Sequence, residues 1–442
     1  MIKSSLVFAI LLTAIGTMCT SVCRADMPIL TVLHSFGPAK ADGKNMFRKL
    51  NSDGASPSIP LIQGHDGLLY GATGTGGVNG LGTLYKINTN GTGFTVLHTF
   101  SPSDPSSKHT LNLDGSSPAG ALVQDSHGTL YGAAETGGTQ GGGALFKMNA
   151  DGSGFTVLHT FDGMRDSGLN NGGSVPTGIT LGTDGLLYGA AGGGKNGQGV
   201  IYSVAVTGQN FRILHTFSAD GPDNRSNYDG ADPTTALVTK NGTVFYGETL
   251  FGGNRDNTGV IYRFLAGGSG FQVLHNFDHQ PVFLGADPVG TLTFGPDGSV
   301  YGNAQQEGKT NGGAVFKMSA DGTAFTILHS FSQPNFDSAD GSLPAGPLVF
   351  GPDGRLYGLN GYGGAFGDGT LFKVPTDGAK FFALHDFKPA ESEHSLTGLT
   401  QGQDGNLYGI SNDGGANGSG TIFVLRFLLP SSTKTETLDD QN

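Results

Sequence analysis

The chain of 442 residues has no tryptophan, and its two cysteines, Cys19 and Cys23, both fall among the first 25 residues. Beyond them there is no disulfide, no thiol chemistry and no cysteine-based zinc site. Long apolar runs are missing too. The longest, Leu6 to Ile15, has ten residues, too few to span a bilayer. Lys and Arg number 24 against 36 Asp and Glu, a net charge of −12, and nowhere do the basic residues cluster. Nucleic acid and anionic membrane surfaces are therefore not expected partners. Helical periodicity is absent as well, so the chain should be almost entirely β.

What is present begins with an export signal. Lys3, the run Leu6–Ile15 and Cys23-Arg24-Ala25 have the order of a positive segment, an apolar segment and a small-residue cleavage site. Residues 1–25 read as a signal peptide, with Asp26 the first mature residue and a mature charge of −14 once Lys3 and Arg24 are gone. The residues before Cys19 and Cys23 fit a lipoprotein cleavage site poorly. A secreted, periplasmic or cell-surface bacterial protein is expected, with no membrane insertion of the mature chain. Residues 26–429 form the repeat region, and the polar tail 430–442 should be disordered.

The repeat organises everything else. Gly82 to Phe100 returns as Gly143–Phe161, Gly199–Phe217, Gly259–Phe277, Gly313–Phe331 and Gly369–Phe387, and a shortened copy closes at Gly420–Arg426. Each unit has four short apolar runs separated by turn signals. The turn between the first two recurs as Asp66-Gly67, His127-Gly128, Asp184-Gly185, Asn241-Gly242, Asp297-Gly298, Asp353-Gly354 and Asp404-Gly405. Such dipeptides supply the positive φ angles of a two-residue hairpin. Tyr70, Tyr131, Tyr188, Tyr246, Tyr301, Tyr357 and Tyr408, each before a glycine, count seven units spaced 51 to 61 residues apart. Seven units of four strands predict a seven-bladed β-propeller. A β-helix is the rival, but its coil is much shorter and the aspartates of calcium-binding nonapeptides are absent. The last unit lacks its fourth run, and Ile29–Phe36 supplies one at the N-terminus. The ring should close by that exchange, leaving no strand edge orphaned.

Strands running inner to outer in chain order put the tight hairpins on one face and the glycine-rich loops, with the long connections 37–56, 101–117 and 218–232, on the other. Irregular loops on a rigid scaffold are where function usually sits. Candidate ligand-binding residues there are Glu135, Glu248, Arg255, Gln305, Glu307 and Tyr362, with Asp256, Arg225 and Tyr228 in the same loops. Glu248, Glu135 and Glu307 follow their Leu/Phe-Tyr-Gly tyrosines by two, four and six, placing them on one side of their strands. As solvated loop carboxylates with Arg, Gln and Tyr they could hold a sugar, and a pair could do acid–base work.

The seven histidines His34, His98, His159, His215, His275, His329 and His385 invite a metal reading. Strand alternation puts each beside Phe and Val in an apolar stripe, on outer strands about 15 Å from the innermost at 4.8 Å per strand. They cannot converge on one ion, so packed, hydrogen-bonded histidines are expected and no metal. Asp-Gly-x-x-Pro at Asp53, Asp114, Asp229 and Asp340 reads as turn chemistry, with calcium binding a second reading. Gly120, Gly178, Gly290, Gly346 and Gly398 fall where blades crowd the axis.

These units, Leu-Tyr-Gly … Gly-Gly … Gly-Thr-Leu-Phe-Lys … Asp-Gly … Phe-Thr-Val-Leu-His-x-Phe, resemble the GloVer tandem repeat of bacterial choice-of-anchor proteins. The resemblance covers nearly all of the mature chain. It implies an exported or surface protein, often with a C-terminal anchoring signal, which Ser431–Asn442 does not match. It brings no catalytic residues and no cofactor. A non-catalytic extracellular binding or scaffold propeller for a glycan or surface protein is expected, acting as a monomer. The alternative is a carbohydrate-active hydrolase or lyase on the long-loop face. A quinone-cofactor dehydrogenase is more distant, because such propellers use tryptophan for blade docking and cofactor stacking.

Overall fold

The computed structural model describes residues 28–42, 45–104, 111–163, 170, 172–221, 227–253, 257–277, 286–306, 311–333, 338–392 and 396–427. Among them there are strands and turns but no α-helix. Seven antiparallel blades form, each with its strands ordered first to fourth. Blade two runs Ser116–Gln124, Leu130–Thr136, Gly141–Met148 and Thr156–Asp162, and the others repeat this plan. The inner strand of blade one is split into Ala55–Pro57 and Ile62–Gln63. That of blade four shrinks to Val238–Thr239.

Blade seven is built from Leu396–Gln401, Leu407–Ser411 and Thr421–Arg426, with Ile29–Ser35 as its outer strand. Ile29 lies opposite Arg426, and Ser35 opposite Thr421. The ring therefore closes by the exchange the sequence predicts. Its core is divided among seven interfaces between adjacent blades. At the closing one, Phe36, Tyr408, Ile410 and Ile422 of blade seven pack on Leu61, Leu69, Tyr85 and Ile87 of blade one. The long connection 37–56, expected to be irregular, instead holds a short hairpin, Lys40–Asp42 paired with Asn45–Leu50.

The repeated motifs resolve into pins between these layers. Tyr70, Tyr131, Tyr188, Tyr301, Tyr357 and Tyr408 each donate a hydroxyl hydrogen bond, 2.6–3.1 Å long, to an aspartate in the turn that precedes them. In blade four the turn carries Asn241, and Tyr246 donates instead to the Ala320 carbonyl. At the axis a Cβ added to Gly120 would lie 2.6 Å from the Gly178 Cα, and one on Gly178 would lie 2.8 Å from the Ala236 Cβ. Blades crowd there as expected.

Six of the seven repeat histidines stack on the next blade; among the rings of described residues His385 meets only Phe387, edge-on. His98 lies 3.7 Å from Phe155, ring planes 5° apart, and meets Phe100 edge-on. His34, His159, His215, His275 and His329 repeat the stack on Phe94, Phe211, Phe271, Phe325 and Phe381. Four of these edges meet the Asp-Gly aspartates: His34 Nε2 on Asp53 at 3.3 Å, His98 on Asp114 at 2.9 Å, His215 on Asp229 at 3.0 Å and His329 on Asp340 at 3.2 Å. His275 Nε2, expected to be hydrogen-bonded, is buried without a partner among the described residues. Glu391 does the same for His385 at 2.8 Å. Asp114 also accepts the Ser101 N–H and hydroxyl. These aspartates are thus acceptors that lock an outer strand to the following connection. Asn112 completes the joint, its side-chain oxygen accepting N–H groups from Gly115 and from Gly138 in the glycine-rich loop.

Asp114→Ala should destabilise the protein by about 2–3 kcal/mol, because it leaves His98 and the Ser101 N–H without their charged acceptor. His98→Phe, which can keep the stack, should lose less than His98→Ala. Chemical denaturation of the three variants measures both. Equal losses for Phe and Ala would show that stacking contributes nothing.

Candidate functional site

The antiparallel register fixes which end of each strand lies on which face. Hairpins between first and second strands, and between third and fourth, share one side; the glycine-rich loops and inter-blade connections share the other. On the loop side each inner strand opens on a tight joint. Ser56, Ser117, Val175, Asp232 and Leu343 all hold φ between 52° and 56° immediately before a proline. This left-handed backbone is costly for a β-branched residue such as Val175. The strain is held by hydrogen bonds across the blades: Ser56 N–H to Ser419 O, Asp232 N–H to Gln198 O and Leu343 N–H to Gly312 O, at 2.8–2.9 Å. Recurrence in five blades makes it a joint of the scaffold. Strain that marked one site would be local.

The candidate side chains separate around this rim. Glu135 ends the second strand of blade two with its side chain exposed. Protein mass around it nonetheless raises its carboxyl above the ordinary range, as at a concave surface. Gln305 occupies the same register position in blade five, half-buried. Three blades apart, the two do not share a contact. Tyr362, at the end of the second strand of blade six, is 36% exposed. Arg255 and Glu307 lie outside the described residues, as do Arg225 and Asp256.

Glu248 departs from expectation. It lies within the second strand of blade four, Val244–Thr249, and its side chain is fully buried. Both carboxyl oxygens lack a hydrogen-bond partner. Burial drives its carboxyl well above the ordinary range, opposed by the neighbouring Thr235 hydroxyl. It is not a solvated loop carboxylate. The strand faces the interior there.

A different set of residues marks the loop face. Val78 (69%), Leu113 (73%), Tyr228 (75%), Phe251 (41%) and Phe366 (54%) are exposed, as is Tyr362. Leu113 and Tyr228 are the variable residue of Asn-x-Asp-Gly turns, so the scaffold holds Asn and Asp while presenting that side chain outward. Phe251 and Tyr228 belong to one corner of blade four, where Phe251 bridges Ala231 and Gly253 N–H bonds the Asn227 carbonyl. The hairpin face shows only Ile29 and Leu265 as large exposed apolar residues among those described. Of the loop-face residues the sequence points to Tyr228 and Tyr362; Leu113 was missed, although an apolar residue between Asn and Asp-Gly was its readable sign. No three His, Cys, Asp or Glu side chains come together among the described residues, and no helix there is long and apolar enough to cross a membrane.

Comparison with solved structures agrees on architecture. The extracellular domain of BT4673 from B. thetaiotaomicron aligns over 88% of this chain and 40% of its own, with a TM-score of 0.51 at 11% identity. YCF48 bound to D1 peptide aligns over 91% of this chain and all of its own, with a TM-score of 0.49 at 12% identity. A nidogen/laminin complex chain covers 72% of this chain and 92% of its own, at 0.41 and 13%. At such identities the likeness concerns the fold, and the last two scores are too low to support more. No curated protein matches the sequence. The Gloeobacter/Verrucomicrobia repeat matches residues 30–189 and 333–438, most of the propeller with its closing strand, and the chain belongs to that family.

Proposed function

We propose that this protein is an exported, non-catalytic binding propeller whose long-loop face docks on another protein at the cell surface. The observation that carries the reading is the asymmetry of the two faces. Apolar and aromatic side chains stand exposed on the loop side at Leu113, Tyr228, Phe251 and Phe366, where interface anchors of these types are favoured. Residues 1–25 support export, and the mature chain without cysteine suits a bacterial envelope protein. A glycan remains the second ligand class, favoured by aromatic rings on a polar surface.

The hydrolase reading has less support. Glycoside hydrolysis asks for two carboxylates about 5–10 Å apart on one cleft. Among the described residues Glu135 is exposed while Glu248 is sealed away from any substrate.

The test is an array of envelope proteins and glycans probed with the mature chain and with a Leu113→Asp/Phe251→Asp/Phe366→Asp variant. These exposed positions contribute little to folding, so melting should be unchanged. Binding should weaken more than tenfold, while Leu265→Asp on the opposite face leaves it intact. Retained binding in the triple variant, or cleavage of a polysaccharide, would show the reading to be wrong.

A further inference from the structure

Blade four carries a carboxyl at a position that holds Ala72, Ala133, Ala190, Asn303, Leu359 and Ile410 in the other blades, and its ladder is open there, as it is at Ala72 and Ala190. In blades two, five and six the inner strand pairs opposite the residue two after the Leu-Tyr-Gly or Val-Tyr-Gly tyrosine: Ala119 with Ala133, Val289 with Asn303, Ala345 with Leu359. In blade four the inner strand pairs at Val238–Thr239 and bridges at Ala231, and no ladder pair forms opposite Glu248. Thr235 runs beside it there, and its hydroxyl is the one polar group among the described residues that acts on the Glu248 carboxyl, though neither group has a hydrogen bond of good geometry. The groups around Glu248 offer no counter-charge. Tyr262 from the third strand is fully buried, and burial holds its hydroxyl neutral. Asp232, heading the inner segment, is itself raised by burial. A sealed carboxylate with no cation beside it is strongly disfavoured.

The equivalent side chain one blade on shows what a neutral group does at this position. Asn303 Nδ2 donates 3.0 Å to the Gly346 carbonyl on the inner strand of blade six. By equivalence of the blades, the carbonyl that corresponds to Gly346 O for Glu248 is that of Gly290. A carboxylic acid has an O–H to donate to it, as the amide does, and a carboxylate has none. We propose that Glu248 is a proton-operated latch, holding the second strand of blade four against the inner strand of blade five while neutral and releasing it when ionised, so that the Tyr228–Phe251 corner responds to pH. The mechanical connection is short. Leu250 N–H bonds the Asp232 carbonyl, Phe251 pairs with Ala231, and Gly253 N–H bonds the Asn227 carbonyl. A shift of the strand end that follows Glu248 therefore moves both exposed rings.

This deepens the loop-face reading and rests on it only for its biological consequence, so the test uses no partner. The chain has no tryptophan, so Phe251→Trp makes a single fluorescent reporter at the corner. Its emission should change between pH 5 and pH 9 in the Glu248 background and stay flat with Glu248→Gln. Stability carries a second signature. The folded state keeps a proton that the unfolded state gives up above the ordinary Glu pKa of 4.5. Stability therefore falls as pH rises from there toward the folded value, by up to tenfold in the unfolding constant per pH unit relative to Glu248→Gln. If Glu248→Gln does not fold, Glu248→Leu, the residue type at this position in blade six, takes its place. Emission that is flat in both backgrounds, emission that titrates in both, or stability profiles that run parallel would each overturn the latch.

Discussion

A mature chain lacking residues 28–36 should fail to form a cooperative propeller. Phe36 is fully buried at the joint of blades seven and one, packed with Leu61, Tyr85 and Ile422. Phe36→Ala alone should cost about 3–5 kcal/mol, a large part of the 5–15 kcal/mol that stabilises a typical domain. Removing the strand also takes away the pairing from Ile29 to Ser35 and the stack of His34 on Phe94. It exposes the Thr421–Arg426 edge as a template for aggregation. Thermal melts followed by circular dichroism, with size-exclusion chromatography, should show a non-cooperative or aggregated chain. A synthetic peptide of residues 26–37 should restore the transition. A truncated chain that melts cooperatively at the full-length temperature would mean that the ring holds without closure.

The second large effect lies at the axis. Gly120→Val and Gly290→Val should each destabilise the ring by about 2–5 kcal/mol, combining left-handed strain of about 1–2 kcal/mol with overpacking of about 1–3 kcal/mol. Gly120 holds φ 63° and Gly290 φ 80°, and an added Cβ would strike the Gly178 Cα and the Gly346 carbonyl of the next blade. Neither obstacle is a movable side chain. Gly185 is the control: its φ is 77°, yet nothing lies within 4 Å of an added Cβ. Gly185→Val should show the strain and not the collision, about 1–2 kcal/mol. Urea denaturation of the three variants separates the contributions. If all three lose the same amount, the blades do not truly press together at the axis.

The architecture was legible because its determinants are local and repeated. Asp-Gly turns and Leu-Tyr-Gly runs state the hairpin, the period states the blade, and the missing fourth run after Arg426 states the closure. What was not legible depends on partners far away in sequence. Asp114 looks like a turn residue until His98, sixteen positions earlier, is brought onto it. Asn112 looks like a loop residue until Gly138 arrives from the next turn of the blade. Glu248 was expected as a solvated loop carboxylate and is buried, because parity along a strand does not reveal what covers it. The hairpin at 40–50 left no alternating pattern, since one of its strands has three residues. Which exposed rings matter on the loop face is likewise a property of their solvent exposure.

Ile29 and Arg426 sit opposite each other at the start and end of the closing pair, on the hairpin side of blade seven. The polypeptide thus enters and leaves the ring at adjoining points. Any leash attached through residues before Ile29, or through those after Phe427, pulls on the same small patch, and both would lift the disc from behind. The loop face is then turned outward like the dish of an antenna, whichever end is held.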